Sequence, residues 1–206
     1  LEARLGHVFR DRTLLRLALT HPSVVHEHSH AIEHNQRLEL LGDAVVQLIL
    51  SRELYQRFPA VDEGPLTKTR AGLVNRRALT EHGRNLRLGE YMIISRGEEL
   101  NGGRQRASTL ADAFEAVVGA LFLDGGFDVA SEFVLRCLDG QLATVDPAAG
   151  IANPKGELQE LLQASSQNPP DYSIASATGP DHDRVFECTV HHGGRELARG
   201  VGKSKK

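Results

Sequence analysis

The sequence predicts an all-α domain followed by a small α+β domain, on three observations. Up to about residue 140 apolar residues recur at helical spacing, and from Asp171 onward they alternate with a period of two. A segment rich in Ala, Gly and Pro, LATVDPAAGIANP, separates the two patterns. Aromatic residues make up only 5% of the 206 residues and Trp is absent, so the core must consist mainly of Leu, Val and Ala, as in packed helices.

Residues 3–20 carry apolar side chains at helical spacing and predict one or two short helices. The segment 20–36 interrupts this pattern with Pro22 and a histidine cluster, which predicts an exposed loop. Imidazoles are common ligands of transition metals, but the loop has no Cys and no obvious rigid scaffold. A solvated loop is therefore the favoured interpretation. The histidines are His21, His26, His28, His30 and His34.

The stretch NQRLELLGDAV, residues 35–45, begins a helix that should run from about Gln36 to Phe58 and end before Pro59. Glu39 and Asp43 are four residues apart, so they lie on one face of this helix and can reach the same cation. An apolar stripe that includes Leu38, Leu41, Val45, Leu48 and Ile49 is expected to face the core. A salt-bridged helix face is the ordinary interpretation of one such acid pair alone.

The next segment is basic. Asp62 to Pro65 predicts a turn, with Glu63 favourably placed near a helix N-terminus, and a helix should follow over 66–88. The glycine-richer segment from Gly89 to Arg106 predicts a short helix or turn followed by a mobile basic loop. Residues 66–106 contain 9 basic and 4 acidic residues, although the whole chain has a net charge of −3. This basic block is either a phosphate-binding stripe or a solvated helix face. Its bases include Lys68, Arg70, Arg76, Arg77, Arg84, Arg87, Arg104 and Arg106.

A second acidic helix is predicted from Ser108, as its cap, to Gly125-Gly126. Asp112 and Glu115 share one face of it. Gly42 and Gly119 would let the two acidic helices pack closely and bring all four carboxylates together. Such a cluster requires bound cations or raised pKa values at neutral pH.

Oxygen-only ligands favour hard cations, Mg²⁺ or Mn²⁺, over zinc or copper. A di-iron centre in a helical bundle uses Glu-x-x-His pairs, and neither acid pair has a His at that offset. Hard divalent ions beside a basic stripe suit phosphodiester hydrolysis instead. Cys137 and Cys188 are far apart in sequence and support neither a disulfide framework nor a zinc site, so we expect a cytoplasmic protein. Apolar runs of membrane-spanning length are absent.

In the C-terminal part, Asn153 and Pro154 predict the start of a helix, and three strands should follow as a meander. With these elements the chain resembles bacterial ribonuclease III over essentially its whole length. The resemblance rests on several ordered fragments: NQRLELLGDAV, DEG at 62–64, GGRQRASTLADAFEAVVGA at 102–120, NPKGELQELLQ at 153–163, GPDHD at 179–183 and GVGKSKK at 200–206.

The resemblance implies a dimeric all-α endonuclease domain at 1–145, a linker at 146–152 and a double-stranded RNA-binding domain at 153–206 whose closing helix is missing. The family cleaves both strands of duplex RNA during RNA processing and leaves staggered 5′-phosphate and 3′-hydroxyl ends. By position, the metal ligands, with Mg²⁺ or Mn²⁺ as cofactor, would be Glu39, Asp43, Asp112 and Glu115, of which Asp43 and Glu115 are catalytic.

The accessory cleavage-site residues implied by the resemblance are Glu63, Arg96 and Gln36. Gln36 departs from the family, which usually has Glu there, and Leu40 replaces a usual Phe. The RNA contacts of the C-terminal domain would be Gln159, Glu160, His182, Lys203, Lys205 and Lys206. A catalytically reduced dimeric protein that binds double-stranded RNA without cutting it is the alternative hypothesis, and only Gln36 favours it.

Overall fold

We describe a computed structural model of the chain over residues 1–27, 33–147, 158–159, 161–163, 168–179 and 184–202. Contacts divide the chain into two compact units, Leu1–Ile151 and Ala152–Lys206. The first is helical and the second contains a three-stranded sheet, as the two hydrophobic periodicities predict. The division falls inside the predicted linker.

Helices build the first unit around a central pair. The helices are α1 (Glu2–Leu5), α2 (Arg12–Ala18), α3 (Gln36–Arg57), α4 (Glu63–Leu73), α5 (Arg76–Asn85), α6 (Arg96–Leu100) and α7 (Ala107–Thr144). Short 3₁₀ turns occupy Pro22–Glu27, Leu88–Glu90 and Gly103–Gln105. Helices α3 and α7 pack against each other at the centre, and α5 and α2 also pack on α7. No helix in the described ranges is long and apolar enough to cross a membrane.

Helix α7 passes through the core, and many of its apolar side chains are buried. Phe114, Leu121, Phe133 and Leu138 are each no more than 1% exposed. Gly126 has φ 82° and ψ −176°, so the helix kinks there and continues to Thr144 instead of ending, as the sequence had suggested. The predicted cap Ser108 lies inside the helix, which begins at Ala107.

Three other predictions, two about helices and one about the histidine segment, are wrong. The helix expected over 66–88 is broken in two, because the Asn75 side chain accepts a hydrogen bond from the Ala78 amide (3.0 Å) and starts α5. Leu48, expected in the core, is 57% exposed. The histidine segment is not simply an exposed loop, because Val24 is buried in a 3₁₀ turn and His21 is half-buried; residues 28–32 lie outside the described residues.

The expected mobile basic loop is folded back on the unit. The Arg104 guanidinium donates to the carbonyls of Gly89 (2.9 Å) and Met92 (2.7 Å), and it also pairs with Glu99. Arg106 pairs with Glu98. These contacts fix the residues that lead into α7.

The second unit contains an antiparallel sheet in the order β1 (Asp171–Thr178), β2 (Val185–His192), β3 (Arg195–Gly202). Tyr172 pairs with Val190 and Ala198 pairs with the same residue from the other side. Gly193 and Gly194 form the β2–β3 turn with positive φ angles of 59° and 79°. The predicted meander is confirmed, and residues 158–159 and 161–163 are helical.

Arg87 has the left-handed backbone (φ 57°), which L-residues other than Asn and Asp rarely adopt. A glycine at this position would relieve the backbone strain but would also remove the exposed ion pair between Arg87 and Glu90. That pair contributes little in water, so the gain in stability from the relieved strain should be larger than the loss. We therefore expect Arg87→Gly to raise the free energy of unfolding by roughly 0.5 kcal/mol. The matched change Arg84→Gly, in helical α5, should lower it by about 1 kcal/mol. Urea unfolding measures both, and equal losses for the two variants would contradict this expectation.

Candidate metal centre

Two glycines bring the backbones of α3 and α7 into contact. A Cβ on Gly42 would lie 1.8 Å from the carbonyl oxygen of Glu115, and one on Gly119 would lie 2.4 Å from the carbonyl oxygen of Leu38. Only hydrogen therefore fits at either position. The contact lies beside the acidic residues of both helices, so it determines how closely their carboxylates approach.

Carboxylates from the two helices converge at this contact. One oxygen each from Glu39, Asp112 and Glu115 lies within 4.8 Å of the others. Asp43 lines a depression of about 370 Å³ together with Glu39 and Glu115, and its two oxygens accept from Gln47 Nε2 at 3.0 and 3.2 Å. Among the described residues, none of these four carboxylates forms a salt bridge with Lys or Arg, which excludes the salt-bridged helix face there.

Burial raises the proton affinity of three of these carboxylates, and neighbouring acids add to the rise at Glu39 and Glu115. Burial, followed by the charges of Asp43, Glu39 and Asp112, raises the pKa of Glu115 from 4.5 to about 7. Burial and the charges of Asp112 and Asp43 also raise the pKa of Glu39. Burial raises the pKa of Asp112 as well, although Arg76 and His21 oppose this rise. The cluster therefore holds more negative charge than it can stabilise alone, which is the condition that favours a bound cation.

This excess charge predicts a pH-dependent stability. Because the pKa of Glu115 is higher in the folded than in the unfolded protein, the folded state binds more protons between about pH 4.5 and 7, and stability falls as pH rises through this window. His21 and His82, whose pKa values are lowered by burial, act in the opposite direction. In metal-free buffer, Glu115→Gln should therefore match the wild type near pH 4 and exceed its unfolding free energy by about 2 kcal/mol above pH 7.

Urea unfolding over a pH series measures that difference. Glu132→Gln, which removes an exposed acid from the same helix, is the matched control and should track the wild type at every pH. A constant offset between Glu115→Gln and the wild type, independent of pH, would show that Glu115 does not titrate in this range.

The accessory residues lie in different places. Gln36 lines the depression that holds Glu39 and Asp43. Glu63, the first residue of α4, instead lines a groove of about 430 Å³ with Tyr55 and Arg70. Arg96 begins α6, and its backbone amide donates to Glu27 (2.7 Å). Gln36 therefore adjoins the carboxylates, whereas Glu63 lines a different groove.

Only one predicted RNA-binding residue falls within the described part of the chain. Gln159 is exposed and helical. Glu160, His182, Lys203, Lys205 and Lys206 lie outside the described residues.

Two functional candidates near the carboxylates escaped sequence reasoning. Arg76 and His21 are the cationic or titratable groups whose charge acts on Asp112. His21 also accepts a hydrogen bond from the Ser23 amide at Nδ1 (3.1 Å). Arg76 was one of several bases in the basic block, and His21 one of several loop histidines, so nothing in the sequence distinguished either from its neighbours.

Family models match both parts of the chain. A ribonuclease-III-like model matches residues 11–141, and a double-stranded RNA binding motif matches residues 154–206. Proteins named Ribonuclease 3 are similar over the full chain. The one from Desulforamulus reducens is 48% identical over 100% of this chain and 84% of its own length. The one from Natranaerobius thermophilus is 42% identical over 100% of this chain and 89% of its own length.

A solved structure is also similar to this chain. The ribonuclease III nuclease domain of Campylobacter jejuni superposes with a TM-score of 0.64 at 39% identity and covers 70% of this chain and 95% of that domain. A helical domain with clustered carboxylates, joined to a double-stranded RNA binding motif, defines the chain as an endoribonuclease. Within that class, it belongs to the ribonuclease III family.

Proposed function

We propose that this endoribonuclease hydrolyses phosphodiester bonds on both strands of duplex RNA with the help of a divalent cation held by Glu39, Asp43, Asp112 and Glu115. The convergence of the Glu39, Asp112 and Glu115 oxygens within 4.8 Å is the observation that carries this proposal. Hydrolysis joins a water oxygen to phosphorus, breaks the bond from phosphorus to the 3′-oxygen and passes a proton to that oxygen. The products are a 5′-phosphate and a 3′-hydroxyl.

The donor set fits Mg²⁺, and Mn²⁺ as a second choice, because all four ligands are carboxylates and the hard cations prefer oxygen. Burial and the repulsion among these carboxylates raise the pKa of Glu115. A bound cation of this kind would relieve the repulsion. When bound, the ion would supply Lewis acidity toward the phosphate and lower the pKa of water.

The chain's own residues prepare the site for that chemistry. Gln47 holds both oxygens of Asp43, which fixes this carboxylate toward the depression. Burial of Glu115 between α3 and α7 keeps water away from one side of the cluster, which strengthens electrostatic interactions there. Asp43 and Glu115 are therefore the residues we assign to catalysis.

Cutting both strands requires two such sites, which a homodimer supplies. Leu40, Leu48 and Tyr55 lie on one face of α3 and are 75%, 57% and 76% exposed. An apolar face of this kind suits a protein interface. In the Campylobacter jejuni nuclease domain, a second solved structure describes flexibility in a region involved in dimer formation. We assign this α3 face to dimerisation, so Leu48 points outward because a second copy covers it.

The C-terminal unit would add duplex binding that depends on RNA shape, with contacts to 2′-hydroxyls and phosphates. Its proposed contacts are Gln159, Glu160, His182 and the terminal lysines Lys203, Lys205 and Lys206.

Incubation of the full chain with long duplex RNA and Mg²⁺ tests the proposal. We expect short duplex products with staggered ends that a 5′-phosphate-dependent exonuclease degrades, and no cleavage in EDTA. Mg²⁺ should also raise the unfolding midpoint of the wild type, because it binds the folded state. Tight binding without cleavage at any Mg²⁺ or Mn²⁺ concentration would instead support a catalytically reduced RNA-binding protein, for which Gln36 beside the carboxylates is the favouring observation.

A further inference from the structure

The structure separates the bases of the basic block into paired and unpaired side chains. Arg77 pairs with Glu81, Arg87 with Glu90, Arg104 with Glu99 and Arg106 with Glu98. The Arg70 guanidinium donates to the Ser51 hydroxyl (2.6 Å). Within the described ranges, the side chains of Lys68, Arg76, Arg84 and Arg96 have no ion pair or side-chain hydrogen bond. Of the block's described bases, these four remain available for a phosphate.

Arg76 differs from the other three in its position. It is the first residue of α5 and shares a face of that helix with Thr80 and Gly83, at spacings of four and seven residues. This face packs against α7: the Thr80 hydroxyl lies 2.9 Å from the Ala107 carbonyl, and a Cβ on Gly83 would lie 2.7 Å from the Leu110 carbonyl. Arg76 is thus anchored beside the start of the helix that carries Asp112 and Glu115.

The charge of Arg76 reaches the cluster although its side chain stays exposed. It opposes the rise in the pKa of both Asp112 and Glu115. Its guanidinium is nevertheless not bonded to them. A guanidinium that lies near a carboxylate cluster but forms no ion pair with it can bind another anion, such as a phosphate.

We propose that Arg76 binds a backbone phosphate of the RNA strand that is cut, and so positions that strand over the carboxylates. This inference rests on the proposed cleavage function and adds a substrate-binding residue to it. The guanidinium donates to phosphate oxygens and offsets the repulsion between the RNA and the four acids. Arg77 is one residue further round the helix, about 100° away from this face, and its contact is with Glu81 (3.6 Å).

Kinetics of the full chain on long duplex RNA with Mg²⁺ test this role. We expect Arg76→Gln to lower kcat/KM roughly 10- to 100-fold, the value of a lost charge-assisted hydrogen bond. Arg76→Lys should recover part of the loss, because it restores the charge but not the fork. Arg77→Gln makes the same change of charge at the next residue, and its kcat/KM should stay within about twofold of the wild-type value.

Binding in the inactive Glu115→Gln background supplies a readout independent of cleavage. Adding Arg76→Gln should reduce the slope of log K against log salt by about 0.9, the amount for one phosphate contact, and adding Arg77→Gln should leave it unchanged. If the wild type cleaves but Arg76→Gln behaves like Arg77→Gln, the inference fails and the proposed function stands. Lost cleavage with an unchanged salt slope and a lower unfolding midpoint would show a structural role and also overturn it. A wild type that does not cleave would instead overturn the proposed function.

Discussion

Glu115→Gln is expected to lower the cleavage rate of duplex RNA at least about 10³-fold while RNA affinity changes by no more than a few-fold. Burial and then the charges of all three other carboxylates raise the pKa of Glu115, so it lies at the electrostatic centre of the cluster. Glutamine keeps the shape but offers a neutral oxygen and an NH₂ group, which bind a hard cation poorly. Loss of several kcal/mol of charge stabilisation corresponds to about three or more powers of ten in rate.

Single-turnover cleavage and filter binding measure the two effects separately. Glu132→Gln is the control, because it removes the same group from an exposed position of the same helix and should retain full activity. The metal-free Glu115→Gln protein should also be more stable than the wild type near neutral pH, since it relieves repulsion. Activity within tenfold of the wild type would remove Glu115 from the catalytic centre.

The fold and the acidic cluster were largely predictable because they depend on local periodicity. Helix α3 was expected from about Gln36 to Phe58 and spans Gln36–Arg57. The two acid pairs lie on single helix faces, and their glycines already suggested close packing. Spacing within one helix fixes which side chains share a face, whatever the remainder of the chain does.

Other features were missed, and two of them depend on tertiary packing. Leu48 has the spacing of a core residue but points outward, because spacing alone cannot distinguish an exposed apolar side chain from a buried one. The separation of α4 from α5 depends on one Asn75 cap. The special position of Arg76 appears only when the face of α5 that packs on α7 is known. The Asn75 cap is a local contact that the sequence could have indicated, whereas the positions of Leu48 and Arg76 depend on which helix faces pack together.

Gly42→Ala is expected to destabilise the protein by roughly 3–5 kcal/mol and to abolish cleavage. Alanine is the better helix former by about 1 kcal/mol, so helix propensity alone predicts a gain. The new Cβ, however, would lie 1.8 Å from the Glu115 carbonyl oxygen and 3.0 Å from the Gly119 amide nitrogen. Both are backbone atoms, and they cannot rotate away. The clash therefore outweighs the propensity, and relief requires that α3 and α7 separate.

Gly140→Ala is the matched control for this effect. Gly140 is also helical, but a Cβ there would contact nothing within 4 Å, so propensity acts alone and should raise the unfolding free energy by up to about 1 kcal/mol. Urea unfolding at pH 7 compares the two variants. Separation of α3 from α7 would also move Glu39 and Asp43 away from Asp112 and Glu115, so any folded Gly42→Ala protein should show a smaller Mg²⁺-induced rise in its unfolding midpoint. A Gly42→Ala protein as stable as Gly140→Ala would mean that the two helices are not in backbone contact, and the carboxylates would then lack the support that brings them together.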